Sequence, residues 1–338
     1  MKKIDFEAHF YTPEYMKALS DNKGYPRFVE NPQTKIHRLW YFEDTGQPFA
    51  DFLYSSLLDM GENRLRKMDA SGVDIQLVSL SAPGIEQLDP RVGTSLATKS
   101  NDALARLINK HPDRFMGYAA LAPKDPEAAA RELERAVLKL GFKGWNTHSN
   151  YGDSYLDDKR YLPILQTAEK LGVPVYLHPT VPAIPQTRSF GFALSGAGFG
   201  FGMETALCMM RLIYAGVFDR CPGLKVILGH LGEGLAFVFK RINWAYVRPI
   251  DPSARPDLAR KPSEYLGDNV FVTTSGNYYE PAFQCTLQAW GIDRILLGTD
   301  FPYEDPDECM GFIEGLPIPR QDKDKIYSLN AASVIPLS

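Results

Sequence analysis

Residues Tyr161–His178 read YLPILQTAEKLGVPVYLH. Tyr161–Leu171 carries a helical apolar pattern and Gly172 stops it. Pro174–His178 (PVYLH) then follows as a short apolar run that ends on a histidine. The same alternation extends in both directions. Upstream lie Lys3–Glu7 (KIDFE), Val73–Leu80 (VDIQLVSL), Phe115–Leu121 (FMGYAAL) and Lys143–Thr147 (KGWNT). Downstream lie Lys225–Gly229 (KVILG), Val270–Ser275 (VFVTTS) and Arg294–Gly298 (RILLG), which makes eight runs. Short apolar runs bounded by Gly and Pro fit parallel strands covered on both faces, where polar alternation is lost.

Helical patterns fill the gaps at Asn63–Ser71, Arg91–Lys110, Asp125–Leu140, Met203–Gly216, Glu233–Tyr246 and Pro281–Trp290. Asp125 and Pro126 supply a cap and a first helical position. Repeated strand–helix alternation builds a parallel sheet with crossover helices. Eight such units predict an α/β chain closed into a (β/α)8 TIM barrel. A doubly wound open sheet is the competing architecture. It needs a glycine-rich turn after the first strand, where this chain has EAHF.

Division by about 150 residues per domain suggests two domains for 338 residues, but a barrel of this class often exceeds about 250 as one unit. No shift in composition marks a linker, so residues 1–338 are read as one barrel domain with two insertions. Residues 11–54 hold ten aromatics and are expected to pack over the barrel mouth or onto another subunit. Residues 180–202 contain SFGFALSGAGFGFG, whose glycines match no phosphate-binding motif.

The charge balance of 41 acids against 37 bases excludes a basic nucleic-acid footprint. No apolar run approaches the roughly 18 residues of a membrane span, and MKKIDFEAHF is no secretory signal. Cys208, Cys221, Cys285 and Cys309 are widely spaced and form no CxxC pair, which suits reduced thiols in the cytoplasm.

Side chains at the C-terminal ends of barrel strands converge on one mouth. Here those ends carry Glu7, His9, His148, His178, His230 and Asp300. Four of the chain's six histidines lie there, with His37 and His111 elsewhere. Glu7 and His9 are two apart, so an extended strand points both to one side. With His178 and Asp300 they are expected to surround one divalent ion of the zinc, manganese or iron type. Each residue has a plainer reading alone: a core histidine at His178, a turn cap at Asp300, a polar loop residue at His148. Together these require several independent accidents at strand ends.

In GHLGEG, His230 and Glu233 stand three apart. Glu233 is either a dipole-favoured residue at a helix start or a carboxylate that orients His230. Arg241 lies eleven positions after His230, about three helical turns on if the helix is continuous. It is either a solvated arginine or a contact for a carboxylate substrate. No GxSxG occurs and no cysteine ends a strand, so serine and thiol nucleophiles lack support.

The motifs Glu7-x-His9, YLHP (Tyr176–Pro179), ILGHLGEG (Ile227–Gly234), TTSGN (Thr273–Asn277) and GTDFPYE (Gly298–Glu304) resemble the amidohydrolase-2 branch of the amidohydrolase superfamily. RLRKMDASGVD (Arg64–Asp74) and the stretch Glu204–His230 agree with it too. Within that branch the resemblance is nearest to the aromatic-acid decarboxylases acting on 2,6-dihydroxybenzoate (γ-resorcylate), 2,3-dihydroxybenzoate and 5-carboxyvanillate.

The resemblance implies one Mn2+ or Zn2+ ion held by Glu7, His9, His178 and Asp300. It also implies an active-site His230 partnered by Glu233, and a substrate contact from Arg241; His148, where the relatives usually have Asn, is expected from its strand-end position alone to line the pocket. A strand-four lysine that bridges two metals in binuclear relatives is missing from WNTHS, so one metal is expected. The implied reaction is reversible, non-oxidative decarboxylation of an ortho-hydroxybenzoate-type acid by a carboxy-lyase. Asp300 would act as the acid, and His230 with Glu233 would manage a phenolic proton. The implied partners are a small aromatic carboxylate and further copies of the chain, as a homodimer or homotetramer. The alternatives are a mononuclear hydrolase of a lactone, ester or amide on the same barrel, and a non-catalytic binding protein.

Overall fold

The computed structural model describes residues 2–30, 35–49 and 51–336. Eight parallel strands run in sequence order around one sheet. They are β1 (Ile4–Phe10), β2 (Ile75–Leu80), β3 (Phe115–Ala119) and β4 (Gly144–His148), then β5 (Val175–His178), β6 (Val226–Leu228), β7 (Val270–Thr273) and β8 (Ile295–Leu296). The ring closes between its first strand and the segment after its last. Phe6 N donates to Leu297 O, Asp300 N to Glu7 O and His9 N to Phe301 O, each at 2.8 Å. This is the expected (β/α)8 barrel.

The crossover helices follow their capping signals. Asp125 accepts from Ala128 N and precedes the helix Pro126–Leu140, while Gly141 ends it in the left-handed region. Gly172 ends the helix Leu162–Leu171 in the same way before β5 begins. Inside the barrel, Phe6, Leu77, Tyr118, Tyr176, Ile227 and Phe271 pack into one cluster, so the interior is a filled core below the mouth. A second, larger core lies between the strands and the helical layer.

One expected helix is absent. Residues 233–246 do not form a continuous helix after β6. Short helical turns stand there instead, at Leu235–Val238, Arg241–Asn243 and Trp244–Val247. The residues just upstream account for the late start at Leu235. His230, Leu231, Gly232, Glu233 and Gly234 take φ values of 51°, 58°, 80°, 56° and 77°. A run in the left-handed region cannot seed a right-handed helix.

The aromatic insertion folds onto the mouth. It comprises a helix at Pro13–Asp21, an antiparallel three-stranded sheet (Arg27–Glu30, His37–Phe42, Thr45–Gly46) and a helix at Asp51–Leu58. Residues 31–34 and 50 of the insertion lie outside the described residues. Tyr15, Leu39, Tyr41 and Tyr54 are buried in the main core, which accounts for the aromatic enrichment. The glycine-rich loop forms two short turns, Pro185–Arg188 and Phe192–Ser195, before the helix Gly200–Tyr214. Arg188 joins the two insertions: its guanidinium lies 4.0 Å from the Phe42 ring and 3.3 Å from Asp44 Oδ1.

Candidate functional site

β1 carries Glu7 and His9, β5 ends on His178, and Asp300 sits in the turn after β8. The barrel brings these residues together: one ligand atom from each lies within 4.8 Å of all the others. Glu7, His9 and His178 are buried, at 1%, 0% and 4% exposure. Each side chain is held on its far side. The His178 Nδ1–H donates to Pro179 O at 2.8 Å, which leaves the Nε2 lone pair facing the cluster. His9 Nδ1 meets Ser79 Oγ at 3.0 Å, and Thr273 Oγ1 donates to Glu7 Oε2 at 2.8 Å.

Two atoms of the cluster, Glu7 Oε1 and His178 Nε2, are buried with no hydrogen-bond partner and lie 3.7 Å apart. Buried polar atoms normally have partners, and an unmet one marks a missing water or ion. Two imidazoles and two carboxylates suit a borderline or hard divalent cation. The residues therefore fit a metal ion by both geometry and donor chemistry.

Electrostatics follows the same arrangement. Burial, together with neighbouring His9 and His148, pushes the His178 imidazole well below its usual range, as a neutral ligand requires. Burial opposes ionisation of Asp300, but the nearby His230 imidazole and the contact with His9 hold its carboxyl well below the usual range. His230 Nε2 lies 3.7 Å from Asp300 Oδ2 and its Nδ1 lies 2.8 Å from Glu233 Oε1. Burial alone would lower His230, yet Glu233, Glu7 and Asp300 raise it well above a free histidine.

His230, Glu233 and Asp300 all sit at positive φ, at 51°, 56° and 59°. Such conformations cost on the order of 1–3 kcal/mol each and gather at functional sites. The left-handed turn folds Glu233 back onto His230. Gly232 is required within it, because a Cβ there would lie 2.9 Å from the Trp290 ring.

Above the cluster lies a cavity of about 120 Å³. Its walls are aromatic, with Phe49 from the first insertion, Phe192 and Phe201 from the second, and Tyr303 from the turn after β8. His178, His230 and Asp300 reach it from below. A wider cleft of about 660 Å³ adjoins it past His230, Glu233 and Asp300.

Two residues named from the sequence, His148 and Arg241, line neither cavity. His148 is buried beside His178, with ring centroids 5.4 Å apart, and pairs with Glu86. Arg241 is exposed and lines neither of these two cavities, because the helix that was to carry it is broken. Residues that the sequence reading passed over also reach the site. Tyr303 lies within the quoted GTDFPYE motif and its hydroxyl meets Ser81 Oγ at 2.8 Å. Gln47 and Ser81 line the cavity with no motif to announce them.

The amidohydrolase family's sequence profile matches residues 4–337. The γ-resorcylate decarboxylase of Polaromonas sp. (strain JS666) is 36% identical, over 99% of this chain and 99% of that protein. The crystal structure of 5-carboxyvanillate decarboxylase from Sphingomonas paucimobilis superposes with a TM-score of 0.88 at 31% identity, covering 100% and 99% of the two chains. A dihydroxybenzoic acid decarboxylase from Polaromonas sp. JS666, solved with manganese and the inhibitor 2-nitroresorcinol, gives 0.82 at 35% identity, covering 98% and 96%. With its barrel, its strand-end cluster and this full-length agreement, the chain belongs to the amidohydrolase family.

Proposed function

We propose that this protein is a metal-dependent carboxy-lyase that removes CO2, reversibly, from a hydroxylated aromatic acid. The observation that carries the reading is the buried Glu7–His9–His178–Asp300 cluster, with its two unpartnered atoms, beneath an aromatic cavity. Full-length relatives that decarboxylate hydroxybenzoates support it. Those four residues hold the ion, Mn2+ or Zn2+. When bound, the ion supplies Lewis-acid polarisation of a carboxylate and an adjacent ring oxygen.

The chain's own residues do the rest. Phe49, Phe192 and Phe201 clasp an aromatic ring and exclude water. Asp300, once protonated by the neighbouring His230 imidazolium, delivers that proton to the ring carbon that bears the carboxylate, and CO2 leaves as the C–C bond breaks. His230, tied to Glu233, stands close enough to Asp300 to return a proton to it or to take one from a phenol. Metal-loaded protein is expected to release CO2 from at least one member of a panel of ortho-hydroxybenzoates. Release from none, or turnover of lactones and phenyl esters instead, overturns the reading.

The metal assignment has its own expected result. His178→Ala should weaken Mn2+ and Zn2+ binding by more than about a hundredfold, measured as metal content after dialysis. Unchanged content would remove His178 from the ligand set.

The same reading takes the chain as one barrel domain whose two insertions shape one substrate pocket. It assembles as a homodimer or homotetramer, supported by exposed Phe190, Phe199, Phe237, Trp244 and Tyr279. Light scattering at the mass of a monomer would overturn that assembly. The four free cysteines fit a reducing cytoplasm. Among the described residues no helix is long and apolar enough to cross a membrane.

A further inference from the structure

The TTSGN motif begins on the last residue of β7, and the reaction above gives it no task. Thr273 and Ser275 of this motif are fully buried, as is Tyr176 of β5. Their hydroxyls gather beside Glu7, and counting donors fixes the direction of each bond. A threonine hydroxyl carries one hydrogen, and a carboxylate only accepts. The Thr273 hydrogen therefore goes to Glu7 Oε2, at 2.8 Å. From its other neighbours Thr273 Oγ1 can only accept: from Ser275 Oγ at 2.9 Å and from the Tyr176 hydroxyl at 3.2 Å. Ser275 has then spent its own hydrogen, and its oxygen accepts from His230 N at 3.1 Å. One run of bonds thus leads from the His230 backbone through Ser275 and Thr273 to Glu7, and Tyr176 joins it at Thr273.

The fold keeps space for this contact. A Cβ at Gly298 would lie 2.7 Å from Thr273 Cβ and 3.3 Å from Glu7 Cβ, so a side chain there would drive the two apart. The two oxygens of Glu7 are consequently unlike. Oε2 is held by Thr273, while Oε1 has no partner and lies 3.7 Å from His178 Nε2. Bonds in a row polarise one another, so the two donors onto Thr273 strengthen its hold on Oε2.

We propose that Thr273 confines Glu7 to one-oxygen coordination through Oε1, and so keeps a position on the ion open for substrate. Thr273 is a positioning residue, and Tyr176 and Ser275 act through it. The proposal rests on the metal-dependent reading above and deepens it. Mn2+ favours about six positions. One atom from each of the four residues leaves about two, which match the carboxylate and the ring oxygen that the ion polarises. Glu7 bound through both oxygens would take one of them.

The test counts water on the ion and needs no turnover. Water-proton relaxation of the Mn2+-loaded protein should report about two exchangeable waters on the ion. Thr273→Val keeps the side chain's shape and removes its hydroxyl. Oε2 then lacks a donor and turns to the ion, so the count should fall to about one. Thr273→Ser restores the hydroxyl and should return the count to about two. If the Val variant does not fold, Thr273→Ala removes the same hydroxyl with less bulk and should also give about one. Melting of the metal-free variants is followed alongside, because a merely structural role would lower the melting temperature and leave the count unmoved. A wild-type count of about one or none overturns the proposal while the metal assignment stands. So does a count that the hydroxyl-free variant shares with the wild type, or a Ser variant that behaves like Val. Wild-type protein that retains no Mn2+ overturns the metal assignment, and this proposal with it. The count does not depend on CO2 release, so absence of turnover with the expected counts overturns the decarboxylase reading alone.

Discussion

Asp300→Asn is expected to keep the fold and lose about 10²–10⁴-fold in kcat for CO2 release, the usual worth of a placed general acid. The variant is clean for a local reason. Asp300 sits at a φ of 59°, and asparagine tolerates the left-handed region nearly as well as aspartate. The backbone bond from Asp300 N to Glu7 O that helps close the barrel does not involve the side chain. The amide still offers an oxygen to His9 Nε2, now 3.0 Å from Oδ1, but it cannot carry the proton to the ring. Because Asp300 also belongs to the proposed metal cluster, turnover is to be compared at saturating Mn2+ with metal content measured alongside. A variant that recovers its metal yet stays slow assigns the loss to proton delivery. Turnover within about threefold of the wild type at full metal occupancy removes Asp300 as the acid.

The sequence announced this cluster because its members sit where strands end. Glu7, His9, His178 and Asp300 each close or follow an apolar run, and a barrel sends all such positions to one mouth. Every one of the eight strands was legible for a similar reason. Buried parallel strands are short apolar runs, and Gly72, Gly141 and Gly172 mark where the preceding helices stop. The relation between His230 and Glu233 was legible only as a spacing. Three positions apart suggests a helix, and the actual contact comes from a left-handed run of five residues. Two glycines in GHLGEG are a hint of it, but nothing in a sequence shows that His230, Leu231 and Glu233 adopt positive φ as well.

That local misreading carried Arg241 with it. A helix from residue 233 would have kept Arg241 on a predictable face, and the broken segment leaves it in solvent. The insertion at 11–54 was readable as a packed segment from its aromatics, but not as the source of Tyr41, Gln47 and Phe49 in the cavity wall. Those positions depend on how a three-stranded sheet lies across the mouth, which no local pattern encodes. Glu86 was silent for the same reason. It sits in an irregular segment between β2 and the helix Pro90–Lys110, and only the folded barrel lays that segment against His148 at the end of β4.

Asp5 gave no chemical signal at all, yet its removal is expected to be the most damaging single change to stability. It lies on β1 at 0% exposure, two residues before Glu7. Its carboxylate accepts from Glu7 N at 3.0 Å, Gln76 Nε2 at 3.1 Å, Thr299 N at 2.9 Å and Thr299 Oγ1 at 2.6 Å. These bonds tie β1 to β2 on one side and to the segment after β8 on the other, across the seam where the barrel closes. Arg64, 1% exposed, continues the network: its Nη1 donates to Gln76 Oε1 at 3.3 Å and its Nε to Asp59 O at 3.0 Å. Asp5→Ala leaves four donors at the seam without their acceptor. At about 1–3 kcal/mol for each buried group left unmet, partly relieved by relaxation, a loss of about 3–5 kcal/mol is expected. For a chain of this size that is a fall of roughly 4–7 °C in Tm at a fixed scan rate. Asp5→Asn keeps one acceptor oxygen and should fall between the two. Asp21→Ala, which breaks only the exposed pair with Lys17, should stay within about 0.5 kcal/mol. The effect should also reach the metal, because the same seam sets Glu7 and Asp300 opposite each other. Asp5→Ala should therefore bind Mn2+ more weakly at a temperature where it is still folded. A melting temperature within about 1 °C of the wild type, with full metal affinity, would mean that the barrel closes without this latch.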